Sequence, residues 1–381
     1  MKIATNVSRD RFGGITTSNV VLFDAMDAKR DAVVGMEFAV RRSFPGATVF
    51  WKYQPNFFRH YVITCLDLAE PNLVNEGESL GGFAKRWKPA IEAASDILKH
   101  EAPDVVLANG TFFAPWLLSR AARHLKLPIV LRYAGVLSRE TEHYPAGVRK
   151  VFRAMERDIA RSARHIIFPS DLCRRVVEKD IVRGTLPEWS VVHNPVRSPS
   201  TPPVARTRTL NDIAVIGRWT PVKNFGAFFD LHAALKRDKW PHRAFIITTH
   251  GAPRAIPRSI IRIPPMDHDQ LWRFYASLGL LVMPSHFETF GNVAAEAVMS
   301  GVPVLVSDNT GFAEVLQAVG LDRMVVDFSD QKTAIARIKE LCGTVVSETA
   351  LAALRKMLDP VINRDRILAV MREEAKEELA E

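Results

Sequence analysis

The sequence predicts an α/β protein made of two Rossmann-like, doubly wound domains facing across a cleft. Three observations carry that expectation. The chain has 381 residues, too many for one ordinary hydrophobic core. Short apolar runs alternate along it with amphipathic stretches, the pattern of parallel sheets with crossover helices. Near the middle, residues 198–208 (Ser-Pro-Ser-Thr-Pro-Pro-Val-Ala-Arg-Thr-Arg) lose all periodicity and read as a linker. The expected domains are therefore 1–197 and 209–360, with a last amphipathic helix over 361–381.

The elements follow in order. The opening Met-Lys-Ile-Ala-Thr-Asn-Val is apolar only briefly before Arg9, Asp10 and Arg11, so it reads as a first strand rather than a signal peptide. Further strands are expected at 32–37, 48–52, 60–66, 104–108, 128–133, 165–168 and 190–193, with helices at 16–27, 79–99, 113–124, 146–163 and 171–178. After the linker the expected strands are 212–216, 243–249, 260–263, 278–283, 303–306 and 323–326. The expected helices there are 222–236, 268–277, 291–300, 312–318, 331–342 and 346–357. Residues 278–283 (Leu-Gly-Leu-Leu-Val-Met) carry no polar side chain, as befits a parallel strand buried on both faces.

Composition narrows the class. Hydrophobic residues make up 47% and charged residues 24%, values of a soluble globular protein. No apolar run is long enough to span a bilayer. Cys65, Cys173 and Cys342 are odd in number and far apart, which points to a reducing cytoplasm and to no disulfide or metal framework. The net charge of +9 is uneven: residues 1–197 hold 29 Lys/Arg against 21 Asp/Glu, while 198–381 hold 22 against 21. A basic first domain attracts phosphorylated partners, anionic lipid surfaces or nucleic acid. Two stretches, Trp51–Tyr61 and Phe83–Lys88, interleave aromatic and basic residues. They fit a membrane interface, stacking on sugars or bases, or ordinary core packing.

Two carboxylates, Glu288 and Glu296, bracket a strand-to-helix turn in an otherwise apolar βαβ unit. Glu296 sits among Ala294, Ala295, Ala297 and Met299, where a carboxylate is costly unless something hydrogen-bonds to it. Gly291 and Asn292 open the helix, and Val293 continues it, so backbone N–H groups beside Glu288 are placed to hold an anion. The unit offers an anion cradle and two acceptors for hydroxyl groups, the chemistry of a sugar nucleotide. Upstream, Gly217-Arg218-Trp-Thr-Pro-Val-Lys223-Asn224 follows a strand and enters a helix. Cations at a helix N-terminus oppose its dipole, and a bound diphosphate would reconcile them. In the first domain, Gly13 and Gly14 follow the first strand, giving either a loop that touches a ligand or a tight turn into the next helix.

The E-x7-E spacing, with Phe290-Gly291 inside it, Pro284-Ser285 before and Gly301-Val302-Pro303 after, resembles the signature of retaining GT-B glycosyltransferases of family 4. The resemblance is strong over about residues 205–320 and weaker in the first domain. It implies that Glu288 contacts hydroxyls of the donor sugar and that Glu296 binds the ribose diol. It further implies that Arg218 and Lys223 bind the donor diphosphate, and that Gly13 and Gly14 approach donor or acceptor. His250-Gly251 stand where relatives have Gly-x-Gly at the nucleotide pocket, and Met266 lies on a segment that borders the base. His193-Asn194-Pro195-Val196 matches a structural turn. Ala134 occupies a place where relatives often carry a His, so that role is missing, and Arg132, Tyr133 and His143 become candidates for the acceptor side. In the resembled family the C-terminal helix crosses back onto the first domain.

The expectation is a retaining, metal-independent glycosyltransferase that takes a UDP- or GDP-linked sugar as donor and has no separate cofactor. No metal ligands are assigned, because no cluster with ligand spacing is visible. The partners expected are the nucleotide sugar and a sugar, glycolipid or other hydroxyl acceptor, anionic in keeping with the basic first domain. Polysaccharide or glycolipid assembly is the implied setting, in the cytoplasm and peripherally at the inner face of the membrane. Two rival readings are a GT-B epimerase or hydrolase of the sugar nucleotide and a basic nucleic-acid-binding protein. The latter leaves Glu288 and Glu296 unexplained and shows no recognised binding motif.

Overall fold

Two sheets organise the chain. The computed structural model describes residues 1–7, 22–23, 31–41, 47–54, 57–66, 74–75, 77–196, 211–249 and 256–377. The chain divides into one unit of Met1–Pro195 with Pro360–Glu381 and a second of Val196–Asp359. The expected linker 198–208 lies outside the described residues, as does most of the expected helix 16–27.

In the first unit, strands β1 (Lys2–Asn6), β2 (Ala32–Arg41), β3 (Ala47–Gln54), β4 (Phe57–Leu66), β5 (Val105–Asn109), β6 (Ile129–Arg132), β7 (His165–Phe168) and β8 (Glu188–Val191) form one sheet. Their order is β3-β4-β2-β1-β5-β6-β7-β8. Its central strands are apolar because both faces are covered: Val105 to Ala108 are fully buried. The pairing is parallel except between β3 and β4, which run antiparallel with Thr48 opposite Thr64. This corrects the expectation of an all-parallel sheet. Only Pro55 and Asn56 separate these strands, too short a connection for a crossover.

A second correction concerns 79–99, which is two helices, Leu80–Arg86 and Lys88–Glu101. Pro89 falls in the first turn of the second and has no N–H to continue the first. Phe83 and Trp87 stand one turn apart and are buried, with Phe83 edge-on to Trp116 at 5.3 Å. The aromatic members of 83–88 therefore serve the core, while Lys85 and Lys88 face solvent. The closing helix, Pro360–Glu377, packs Ile367, Leu368 and Met371 against Ile3, Val105, Val130 and Ile167 of the first sheet.

In the second unit, β9 (Asp212–Arg218), β10 (Arg243–Thr249), β11 (Ile260–Ile263), β12 (Leu280–Met283), β13 (Val304–Ser307) and β14 (Val325–Val326) form a parallel sheet in the order β11-β10-β9-β12-β13-β14. The order reverses between β9 and β12, so the chain leaves these neighbours in opposite directions along the sheet. That switch point is where an open α/β sheet makes room for a ligand beyond its strand C-termini.

Candidate active site

The loops leaving β9 and β12 are laced together. Gly217 is the penultimate residue of β9, and a Cβ there would meet Lys223 Cδ at 3.4 Å, so the lysine stem lies across the glycine. A short 3₁₀ turn, Pro221–Lys223, delivers Lys223. Asn224 follows with φ +50°, a left-handed conformation that Asn tolerates, and its Nδ2 donates to the Pro284 carbonyl at 3.1 Å. The His286 N–H donates to the Val222 carbonyl at 2.8 Å. Within this frame Lys223 Nζ donates to Glu288 Oε1, and Ser285 Oγ donates to the same oxygen at 2.8 Å. The main chain of Glu288 is pinned to the loop after β13: its N–H donates to Asn309 O and its carbonyl accepts from Gly311 N–H, both at 3.0 Å.

Three residues on, the chain must turn sharply into a helix. Gly291 has φ +106°, and a Cβ on it would lie 2.8 Å from Met283 Cε and 2.9 Å from Thr310 Cγ2. Only glycine fits there. Phe290 is buried and sits edge-on to Phe312 at 5.7 Å, with the Phe312 N–H donating to the Phe290 carbonyl at 2.6 Å. The helix Asn292–Met299 then begins with no side-chain cap and no acidic residue in its first turn. Its N-terminal amides, Val293 among them, carry the positive end of the helix dipole. Thr310 is fully buried, and its hydroxyl has no hydrogen-bond partner among the described residues.

Glu296 lies on this helix, half-buried, and desolvation pushes its carboxyl up to about 7. Fully buried Tyr275 donates to the Val293 carbonyl at 3.4 Å. Its burial, reinforced by the charge of Glu296, raises its phenol well above the usual range. Sequence reasoning missed Tyr275 and Thr310, because nothing local marks a buried hydroxyl. It noticed Ser285 only as part of a motif.

The structure thus brings Gly217, Lys223, Glu288, Phe290 and Gly291 into one laced set, with Asn292, Val293 and Glu296 on the adjoining helix. Arg218 ends β9 with its side chain exposed. Met266 lies on the loop after β11, two strands from β9 in the sheet order. Gly13, Gly14, His250 and Gly251 lie outside the described residues. In the first unit, Arg132 is buried, donates to Asn194 Oδ1 at 3.0 Å and is lowered by desolvation to about 10. Tyr133 is fully buried and stacked on Phe168 at 5.2 Å, so it belongs to the core rather than to an acceptor surface. His143 is exposed beside Tyr144.

Comparison with known proteins agrees with this geometry. Residues 69–198 match the family model described as Glycosyltransferase Family 4, and residues 265–373 match Family 4 Glycosyltransferase in conflict systems. An uncharacterized 41.2 kDa protein in the cps region of Klebsiella pneumoniae is 24% identical over 198 residues, 49% of this chain and 54% of the relative. D-inositol 3-phosphate glycosyltransferase 1 of Catenulispora acidiphila is 36% identical over 93 residues, 24% of this chain and 21% of the relative. The chain thus spans about half the first relative's length and about a fifth of the second's. The sucrose-phosphate synthase structure from Thermosynechococcus elongatus superposes with a TM-score of 0.73 at 14% identity, covering 98% of both chains. An E. coli structure titled trehalose-6-phosphate, bound with UDP-2-fluoro glucose, superposes with a TM-score of 0.66 at 12% identity, covering 100% of this chain and 98% of that one. These likenesses show the GT-B fold.

Proposed function

The chain belongs to the family 4 glycosyltransferases, and we propose that it moves a sugar, with retention of configuration, from a nucleoside-diphosphate sugar to a hydroxyl acceptor. The observation that carries this reading is the contact between Lys223 and Glu288. In a sugar nucleotide the diphosphate and the sugar share one oxygen. The cation that holds the phosphate and the carboxylate that holds the sugar hydroxyls must therefore be neighbours. Lys223 and Glu288 are such neighbours, on loops that follow two adjacent strands, which supports the reading.

Each residue then has a task. Lys223, Arg218 and the N-terminal amides of helix Asn292–Met299 stabilise the departing diphosphate as its charge develops. That positive charge replaces a divalent metal in the reaction. Glu288 orients the sugar, and Glu296 accepts from the ribose hydroxyls. The acceptor oxygen attacks on the face that the diphosphate leaves, without a protein nucleophile. We read the acceptor as anionic. The basic first unit supports this, and the names of the Catenulispora and Thermosynechococcus proteins carry phosphorylated polyols or sugars. Polysaccharide or glycolipid assembly at the inner membrane face is the proposed setting. No helix among the described residues is long and apolar enough to cross a membrane.

Thermal melting against a panel of UDP-, GDP- and ADP-sugars tests the reading, since a ligand that binds only the folded state raises Tm by mass action. At least one sugar nucleotide is expected to raise Tm, and Arg218→Ala to weaken that rise. If no nucleotide shifts the wild type, the proposal fails.

A further inference from the structure

At one edge of the first sheet, three side chains from distant stretches converge. His165 opens β7, Glu188 opens the edge strand β8, and Glu374 lies near the end of helix Pro360–Glu377. His165 and Glu188 are direct cross-strand partners. His165 Nδ1 is 3.6 Å from Glu374 Oε1 and 3.9 Å from Glu188 Oε2, and ligand atoms of all three lie within 4.8 Å of one another. The two contacts to the imidazole are longer than hydrogen bonds. They fall close to the spacing of atoms that share one ion: ligands about 2.0–2.2 Å from zinc, at tetrahedral to trigonal angles, stand about 3.3–3.8 Å apart.

The surroundings suit a ligating imidazole. His165 Nε2 is 3.0 Å from Ser190 Oγ. A metal-bound histidine typically donates its second N–H to such an oxygen, which fixes the ring and turns the other nitrogen's lone pair toward the metal. Glu374 brings a carboxylate whose side chain is only 6% exposed, whereas that of Glu188 is 83% exposed and can swing toward the other two ligands.

We propose that His165, Glu188 and Glu374 form a three-ligand site for a zinc-type divalent ion, which clamps the C-terminal helix to the β7–β8 edge of the first sheet. One nitrogen and two carboxylate oxygens select zinc-like ions over magnesium or calcium, which prefer oxygen ligands alone. Water completes the coordination. The site is built on elements of the first unit, whereas Gly217, Arg218, Lys223, Glu288, Gly291 and Glu296 belong to the second, so it stands or falls apart from the proposed reaction.

The test is a zinc titration of chelator-treated full-length protein in competition with a chromogenic chelator, paired with melting curves. One zinc per chain and a higher Tm with zinc are expected. Glu188→Gln alters an exposed side chain that the fold does not need and is expected to weaken zinc binding by about tenfold or more, as is His165→Ala. Cobalt(II) provides a second readout: the visible absorption of a low-coordinate site should appear in the wild type and be lost in Glu188→Gln. Absence of stoichiometric zinc binding by the wild type would overturn the proposal. So would zinc affinity or cobalt absorption left unchanged in both variants.

Discussion

Lys223 donates to the carboxylate of Glu288, joining the loop that follows β9 to the loop that follows β12. Both side chains are largely buried, at 21% and 15% exposure, so the pair is better shielded from water than a surface ion pair. On the proposed reading, the cation that would hold the phosphate is paired with the carboxylate that would hold the sugar. Donor binding would then insert a diphosphate on one side and sugar hydroxyls on the other.

Glu288→Gln should therefore separate two effects that a general loss of structure would merge. Relieved of its counter-ion, Lys223 should bind nucleoside diphosphate as tightly as before or up to about fivefold more tightly, an effect of about 1 kcal/mol. Turnover of the nucleotide sugar should fall by about 100-fold or more, because the sugar is no longer oriented in the transition state. Calorimetry with the diphosphate and steady-state rates with the donor check the two arms. A parallel loss of both would refute the division of labour.

With Glu296 on the ribose, as proposed, nucleotide binding should depend on pH. Desolvation raises its carboxyl to about 7, and only the ionised form accepts from both ribose hydroxyls. Binding should release a proton near neutrality, and affinity should drop as pH falls below about 7, approaching tenfold per unit. The sign for the ligand-free protein is opposite. A carboxyl raised on folding binds more protons folded than unfolded between pH 4.5 and about 7, so stability falls as pH rises through that window. Glu296→Gln is expected to melt higher than wild type at pH 8 while binding nucleotide more weakly. A variant less stable at pH 8 would contradict this account.

His232 has the reverse pH signature. Its carbonyl-anchored chain has fixed directions: His242 Nδ1 donates to Trp240 O (2.8 Å), His232 Nδ1 donates to His242 Nε2 (2.8 Å), and Ser259 donates to His232 Nε2 (2.9 Å). Burial, with help from His242 and Lys236, lowers His232 to about 4. The unfolded chain therefore binds more protons between pH 6.5 and about 4, and the stability present above 6.5 is lost as pH falls through that interval. Glu156, raised by burial to about 7, and Glu296 oppose this trend, so the wild-type curve alone is flattened. The Tm advantage of wild type over His232→Gln should shrink as pH is lowered from 6.5 to 4. An advantage independent of pH would rule out His232 as its source.

Two glycines should respond in opposite ways to alanine. Gly291→Ala meets Met283 and Thr310 at φ +106° and should cost about 2–4 kcal/mol of stability, taking nucleotide affinity with it as the helix start shifts. Gly226 has open space around its Cβ position inside the helix Phe225–Arg237, so Gly226→Ala should stabilise by about 0.5–1 kcal/mol. Chemical denaturation measures both. Equal effects would mean that the tight turn at Gly291 is not what positions the helix.

The strands and most helices were legible in the sequence because each reports its own surroundings. Leu280–Met283 and residues 304–306 are apolar because both faces of their sheet are covered, and Glu296 stands out because its neighbours are alanines. Elements that depend on length or on a missing donor were misread: the β3–β4 hairpin, forced by a two-residue connection, and the helix broken before Pro89.

Lys223, Glu288 and Glu296 were thus legible as candidates in the sequence alone, as was the glycine that turns the chain beside them, whereas buried Tyr275 and Thr310 were not. Which of them touch was decided by tertiary structure. Lys223 meets Glu288 across 65 residues, and His165 meets Glu374 from opposite ends of a unit, because β9 lies beside β12 and the last helix returns to the first sheet. Strand order comes from how crossover helices pack on the sheet faces, an interaction between distant segments that no local pattern of side chains encodes.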